Sequence, residues 1–324
     1  MAVYTDVPDE EIARFLESYN VGELRAFKGI AEGVENTNYL VQTDGGQFIL
    51  TLYEKRVDPK DLPFFLSLLD HLSEHGIACP LPVHGTDDAA LRTLHGRPAA
   101  LFTFLEGMWV RRPTADHCRQ LGAALARLHL AGQDFDAARK NALSVDAWQR
   151  IFAGVDGQAD SVSPGLSELC EGELSYLEAH WPDDLPTGVI HADLFPDNVF
   201  FLSGSLSGLI DFYFACTDLL AYDIAICLNA WCFESDGAFN VTKARALTEG
   251  YSAVRQLASE EIAALPLLAR GSAMRFLVTR LYDWINHPPG ALVQPKDPQE
   301  YITRLRFHRG VRSAAEYGLD EIPA

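Results

Sequence analysis

One eight-residue stretch holds side chains whose types and spacing could carry out chemistry. It runs from His191 to Asn198 and reads H-x-D-x-x-x-x-N, and thirteen residues later Asp211 stands between two apolar residues. The carboxylate of Asp193 could accept or orient the proton of a hydroxyl within hydrogen-bond reach. Oxygen ligands such as those of Asn198 and Asp211 are the ones that Mg²⁺ prefers. The pattern therefore predicts metal-assisted phosphoryl transfer with Asp193 as the base.

The surroundings of this motif decide between chemistry and an ordinary turn, because His, Asp, Asn and Pro also form turns. One predicted strand ends before the motif, at 188–190, and another begins after it, at 199–201. Together with the downstream aspartate and a predicted sheet upstream, this context favours a catalytic loop. We expect His191 to brace that loop. Asp223 lies in an apolar stretch and is predicted to accept hydrogen bonds that hold the loop in place, since a buried carboxylate needs donors.

A second candidate site is the loop at 28–38, between the first two predicted strands. It contains Gly33, Asn36 and Thr37. Small residues and exposed backbone N–H groups can hold the phosphates of a nucleotide. The loop lacks the G-x-G-x-x-G spacing, so its sequence fits an ordinary hairpin as well as a phosphate-binding loop.

The arrangement of predicted elements indicates an α+β fold of two lobes. Residues 1–106 read as a small antiparallel sheet with an opening helix at 9–19 and one inserted helix, and residues 107–324 read as a larger, mainly helical lobe. Strands are predicted at 24–30, 38–43, 48–53, 90–94, 99–104, 199–202 and 208–212, and helices include 61–75, 114–131, one opening at 163–164, and 271–285. Glu106–Gly107 is the expected hinge.

Composition narrows the classes of partner. The formal net charge is -19, so nucleic acid and anionic membranes are poor partners. A nucleotide polyphosphate would need local positive charge or metal ions to bind here. The sequence begins without the basic and apolar segments of a signal peptide, and its six cysteines include no C-x-x-C pair. These features favour free thiols and a cytoplasmic protein.

Segments along nearly the whole chain resemble the aminoglycoside-phosphotransferase-like branch of the protein-kinase-like fold. The resemblance includes 21–36, 48–55, the catalytic motif at 191–198, and 274–283. The motif is typical of the whole superfamily, and the flanking segments resemble the homoserine-specific group of that branch. The resemblance implies transfer of the γ-phosphate of ATP to the side-chain hydroxyl of L-homoserine, which gives O-phosphohomoserine for threonine biosynthesis.

The resemblance also implies roles for individual residues. Asp193 would be the base, and Asn198 and Asp211 would hold Mg²⁺. The backbone around residues 103–105, which are Thr103, Phe104 and Leu105, would meet the adenine of ATP.

One position departs from the kinase pattern. Thr51 stands where the branch commonly has a lysine that contacts the ATP phosphates. Strand alternation places Lys55 on the same face as Thr51, and Lys28 lies just before the candidate phosphate loop. Either lysine could substitute, and the sequence leaves this open.

The substrate carboxylate would suit an arginine, which can form two parallel hydrogen bonds with it. Arg275 and Arg280, on an otherwise apolar helix, are the candidates. Surface salt bridges at a helix edge would explain both arginines equally well.

Three alternatives remain beside this hypothesis. His71, Glu74 and His75 match the H-x-x-E-H pattern of zinc peptidases, but Gly76 ends the helix and the sequence offers no obvious third ligand. Thr51 would also suit a pseudokinase that binds nucleotide without turnover, although the retained acidic and amide ligands argue against it. Choline, methylthioribose or an aminoglycoside could replace homoserine as the acceptor. ATP versus GTP, feedback regulation and the oligomeric state stay open.

Overall fold

The computed structural model describes residues 5–30, 36–54, 57–155, 157–287 and 294–319. The chain divides into two compact units. The first comprises Met1–Gly107 and Ser207–Tyr213, and the second comprises Met108–Leu206 and Phe214–Ala324. The short segment at 207–213, which carries Asp211, therefore belongs to the first unit, although it lies within the range that the sequence assigned to the second lobe.

The first unit is built on a five-stranded antiparallel sheet. Its strands are β1 (Leu24–Gly29), β2 (Thr37–Thr43), β3 (Gly46–Leu52), β4 (Leu91–Leu94) and β5 (Arg97–Thr103), in the order β1-β2-β3-β5-β4. Two helices, α1 (Asp9–Leu16) and α2 (Leu62–Glu74), complete this unit. The predicted sheet lobe is thus confirmed, with strand ends shifted by one or two residues.

Local sequence explains the β2–β3 hairpin. Thr43 pairs with Gly46, so Asp44 and Gly45 form a two-residue turn. A β-carbon on Gly45 would lie 2.5 Å from the carbonyl oxygen of Val21, so only glycine fits there. Buried and partly exposed residues alternate along β2, because successive side chains of a strand point to opposite faces. The buried face packs against α1 in the core of this unit.

The second unit is mainly helical, as predicted. Its helices are α3 (Ala115–Ala131), α4 (Val145–Ala153), α5 (Ala159–Val162), α6 (Leu166–His180), α7 (Leu220–Trp231), α8 (Val241–Ser252), α9 (Ser259–Ile285) and α10 (Gln299–Gly310). Strands β6 (Thr187–Ile190) and β9 (Cys216–Leu219) pair antiparallel. Strand β7 (Val199–Leu202) is followed by β8 (Ser205–Leu209), within which the division between the units falls.

The largest differences from the sequence prediction concern two elements. The strand predicted at 208–212 ends at Leu209, because Asp211 adopts a left-handed backbone with φ +65° and a short 3₁₀ turn follows at Phe212–Phe214. Helix α9 starts twelve residues before Gly271 and continues through Pro266. Its central residues pack against α4, α7 and α10, and this burial stabilises the helix despite the proline.

Glycines let α3 and α8 pack closely. A β-carbon on Gly122 would lie 1.9 Å from the carbonyl oxygen of Leu247, and one on Gly250 would lie 2.0 Å from that of Arg119. Such distances exclude any side chain, so the two backbones approach directly.

Helix α9 also has the length and apolarity of a membrane span, and it is the only helix within the described ranges that does. However, 61% of its most apolar window is buried inside the structure, as expected for the core helix of a folded domain.

Candidate active site

The predicted catalytic loop lies in the second unit, between β6 and β7. Its backbone folds back on Asp193, whose carbonyl oxygen accepts the N–H of Phe195 at 2.8 Å and the side-chain amide of Asn198 at 2.7 Å. The ring nitrogen of His191 lies 3.3 Å from the backbone N–H of Asp193 and accepts its hydrogen bond. His191 is buried, so its position in the structure is that of a brace within the loop.

Asp223, in the first turn of α7, holds the start of the loop. Its carboxylate accepts the backbone N–H groups of His191 at 2.7 Å and of Ala192 at 2.9 Å. Burial would raise the pKa of Asp223, but hydrogen bonds, first of all from His129, lower it below its usual value. His129 in turn contacts the hydroxyl of Tyr251 at 2.7 Å. The interpretation of Asp223 as the acceptor that ties down the loop is confirmed.

Ala192 is strained, because its φ of +64° lies in the left-handed region that disfavours a residue with a β-carbon. Its carbonyl oxygen accepts a hydrogen bond from the guanidinium of Arg275. Further along, the indole of Trp231 donates to the carbonyl of Leu194 at 2.7 Å. Helices α7 and α9 thus hold a backbone conformation that the loop would not adopt by itself.

The environment of Asp193 suits a proton acceptor. Burial raises its pKa to about 6, while the positive charges of Arg275 and Lys296 act in the opposite direction. A base is most effective when its pKa lies near the working pH, because it is then both ionised and able to take a proton. Asp193 is therefore ionised at neutral pH and more basic than an ordinary aspartate.

Asn198 fits the predicted role of a metal ligand. Its amide nitrogen donates to Asp193, both to the backbone carbonyl and to the carboxylate, the latter at 3.3 Å. This orientation leaves the side-chain carbonyl oxygen as the atom that can meet a cation, and Mg²⁺ prefers such oxygen ligands.

Asp211 lies in the segment 207–213 of the first unit. Leu209, two residues before it, donates its N–H to the carbonyl of Ala78 at 2.9 Å. Two residues after it, the ring of Tyr213 packs edge-on against Tyr53, with centroids 5.4 Å apart. These contacts fix the backbone on both sides of Asp211.

The candidate nucleotide residues of the first unit are mostly engaged with other protein groups. The hydroxyl of Thr51 donates to the side-chain oxygen of Asn38 at 2.7 Å. The hydroxyl of Thr37 donates to the carboxylate of Glu54 at 2.8 Å, and the side-chain oxygen of Asn36 accepts the N–H of Glu54 at 3.3 Å. Their predicted contact with phosphates therefore stays a prediction.

The residues predicted to meet adenine lie at the end of β5 and directly after it. The backbone N–H of Thr103 donates to the carbonyl of Leu81 at 2.9 Å. Phe104 is 40% exposed, and the side chain of Leu105 lies close against Gly208. Gly33 and Lys55, also predicted to bind nucleotide, lie outside the described residues.

The two candidate substrate arginines on α9 both have protein partners. Arg275 is 2% exposed and donates to Ala192. Arg280 forms an ion pair with Glu300, and its guanidinium lies 4.4 Å from the centre of the Tyr301 ring. Their contact with a substrate carboxylate stays a prediction.

Two residues near the loop escaped the sequence analysis. His129 appears in the sequence as one more residue on the inner face of α3, and only the structure shows its contact with Asp223, 3.3 Å away. Lys296 lies 103 positions after Asp193 in the sequence, and no local motif marks it.

The zinc hypothesis gains no support. His71 and His75 lie on one turn of α2 with ring centroids 4.2 Å apart. Among the residues that the structure describes, no group of three or more His, Cys, Asp or Glu side chains could hold a metal ion.

Comparison with known proteins agrees with the fold. The sequence model of the phosphotransferase enzyme family matches residues 26–257. Among solved structures, an amicoumacin kinase in complex with AMP-PNP and Ca²⁺ superposes with a TM-score of 0.70 at 15% identity, covering 93% of this chain and 92% of that one. At this identity the likeness shows the fold, which is protein-kinase-like.

Curated relatives are similar over the full length. The homoserine kinase of Rhizobium meliloti is 61% identical over 326 residues, which is 100% of both chains. The homoserine kinase of Rhodospirillum rubrum is 64% identical over 319 residues, covering 98% of this chain and 99% of that protein. The chain therefore belongs to the phosphotransferase enzyme family, and to the group of homoserine kinases within it.

Proposed function

We propose that this protein transfers the γ-phosphate of ATP to the side-chain hydroxyl of L-homoserine, which forms O-phosphohomoserine and ADP for threonine biosynthesis. The observation that carries this proposal is full-length identity of 61–64% to two curated homoserine kinases. The catalytic loop supports it independently, because a strained loop, anchored by Asp223, presents Asp193 as the base that a hydroxyl acceptor requires.

In this mechanism Asp193 accepts the proton of the substrate hydroxyl as the oxygen bonds to the γ-phosphorus and the bond from phosphorus to the β-phosphate oxygen breaks. Phosphoryl transfer depends on positioning and on neutralising the phosphate charge. Mg²⁺, held by Asn198 and Asp211, would supply that neutralisation, since the phosphates would otherwise meet a chain of net charge -19. His191 and Asp223 keep the loop in position.

The nucleotide would contact the first unit. The proposal places adenine at the backbone of Thr103, Phe104 and Leu105, and the phosphates near the loop at 28–38 and Thr51. Thr51 donates to Asn38 and carries no charge, so the phosphate charge must be met elsewhere. Lys28 on β1 is an exposed candidate among the described residues.

A cytoplasmic location belongs to the same proposal. The six cysteines are all buried free thiols. Burial raises the pKa of Cys79 and Cys170 to about 12, so these thiols stay protonated and unreactive. Thiols of this kind are typical of a reducing compartment.

The decisive experiment is Mg²⁺-dependent release of ADP from ATP with L-homoserine, run beside choline, methylthioribose and kanamycin. We expect release with homoserine alone. Release with another alcohol would retain the kinase chemistry and discard homoserine as the acceptor. Nucleotide binding without ADP release in any of the four reactions would favour a pseudokinase.

A further inference from the structure

Lys296 lies beside the catalytic loop, shortly before α10. Its ammonium is 3.9 Å from a carboxylate oxygen of Asp197 and 5.3 Å from the centre of the Phe195 ring. Its side chain is 61% exposed, and that of Asp197 is 55% exposed. A loose ion pair between exposed side chains contributes little free energy. Lys296 can therefore exchange Asp197 for another anion at small cost.

The two cations that act on Asp193 differ in accessibility. Arg275 contacts Ala192 and Lys296 pairs with Asp197, so both cations lie against the short loop that carries Asp193. Arg275 is buried and donates to the backbone of Ala192. Lys296 is open to solvent, so its ammonium is accessible to a dissolved anion.

The other predicted carboxylate ligand is committed elsewhere. Arg280 pairs with Glu300 and lies over the ring of Tyr301, both on α10. Burial alone would raise the pKa of Glu300, but the positive charges of Arg304 and Arg280 lower it below its usual value. Binding a substrate through Arg280 would break this pairing.

We propose that Lys296 binds the carboxylate of the amino-acid acceptor while Asp193 receives the proton of its hydroxyl. This inference rests on the proposed function. In L-homoserine the carboxylate carbon lies roughly 5 Å from the hydroxyl oxygen when the chain is extended, on ordinary bond lengths. The ammonium of a lysine sits on a flexible stem with three donors, so it can follow a carboxylate over such a short range. Lys296 would thus set the specificity for amino acids over neutral alcohols.

The test is to change Lys296 to Met and to Arg and to measure steady-state kinetics for both substrates. For Lys296→Met we expect KM for L-homoserine to rise about 10-fold or more, the scale of one charge-assisted hydrogen bond. The values of kcat and of KM for ATP should stay close to those of the parent, and Lys296→Arg should recover most of the affinity.

Lys140→Met is the matched control. Lys140 forms a similar exposed pair with Asp146 at 3.8 Å, but neither residue belongs to the catalytic loop. We expect unchanged kinetics in this variant.

A second measurement uses L-homoserine amide, whose head group has lost its negative charge. The measured quantity is kcat/KM for L-homoserine divided by kcat/KM for the amide. This ratio should be about 10-fold lower in Lys296→Met than in the parent. An unchanged KM for homoserine in an active protein would overturn this inference alone, as would a rise confined to KM for ATP. A parent without activity on homoserine would overturn the proposed function and this inference with it.

Discussion

The guanidinium of Arg275 donates a hydrogen bond to the carbonyl oxygen of Ala192, the residue before the proposed base. Ala192 has a φ of +64°, and its N–H is held by the carboxylate of Asp223. The backbone N–H and the carbonyl oxygen of this strained residue are therefore both hydrogen-bonded to buried charged side chains, one from α7 and one from α9. Because strain of this kind persists only where the surroundings impose it, the position of Asp193 depends on α7 and α9.

Replacing Arg275 by Met should lower kcat about 10- to 100-fold with KM for L-homoserine close to that of the parent, because the base would lose its alignment. Lys at this position should recover part of the rate. Steady-state kinetics of both variants, with thermal unfolding as the check on folding, measure this. A raised KM with unchanged kcat would instead support the predicted contact of Arg275 with the substrate carboxylate.

Asp193→Asn should lower turnover on the order of 10²-fold or more, the usual effect of removing a positioned base. ADP release at saturating ATP and homoserine measures it. Near-normal turnover would remove Asp193 from the mechanism.

The same variant should remain folded, and the pKa shift indicates the direction of its stability. Burial raises the pKa of Asp193 from 3.8 to about 6. The protonated form thus favours the folded state at low pH, and this contribution is lost as pH rises through about 6. At pH 8 the Asp193→Asn variant, which buries a neutral amide in place of a carboxylate, should therefore unfold at a temperature no lower than the parent. A clear drop in the unfolding temperature would contradict the raised pKa of Asp193.

The pH profile of the parent gives an independent check. If Asp193 must be ionised to act, log kcat/KM should fall with a slope of one as pH drops below about 6. The profile is measured with ATP kept saturating. A rate that stays flat well below this pKa would exclude a base of this kind.

Asp211→Ala should abolish Mg²⁺-dependent binding of nucleotide while the fold is kept, because the proposed site would lose its charged ligand. Titration calorimetry with ATP, with and without Mg²⁺, measures the effect. Asp146→Ala, which removes an aspartate with a 69% exposed side chain, is the control and should bind like the parent. Retained Mg²⁺-dependent affinity for ATP in Asp211→Ala would contradict the assignment of Asp211 as a ligand of Mg²⁺.

Gly122→Ala should destabilise the protein by about 1–3 kcal/mol, because its β-carbon would collide with the backbone of α8. Gly172→Ala is the matched control, since this exposed glycine of α6 has open space around it. There alanine should stabilise by about 0.5–1 kcal/mol through its higher helix propensity. Chemical denaturation of both variants compares them, and equal stabilities would contradict the close packing of α3 on α8.

The sequence by itself determined the fold class and the chemistry. Periodic apolar residues and the turn at Asp44–Gly45 encode the sheet of the first unit locally, because hairpin geometry depends on a few adjacent residues. The spacing of Asp193 and Asn198 likewise places the proposed base and metal ligand on one short loop, where the structure finds their side chains 3.3 Å apart. The resemblance along nearly the whole chain added the identity of the acceptor, L-homoserine.

Only the tertiary structure decided which distant side chains hold that loop and which remain accessible. Asp223 could be predicted as an anchor, since a carboxylate in an apolar stretch needs donors, but its link to His129 joins residues 94 positions apart. The sequence marked Arg275 as a candidate on an apolar helix and did not mark Lys296, and only the structure brings both cations to the catalytic loop. Packing buries one against Ala192 and leaves the other in solvent beside Asp197, because the environment of a charge depends on contacts that local sequence does not encode.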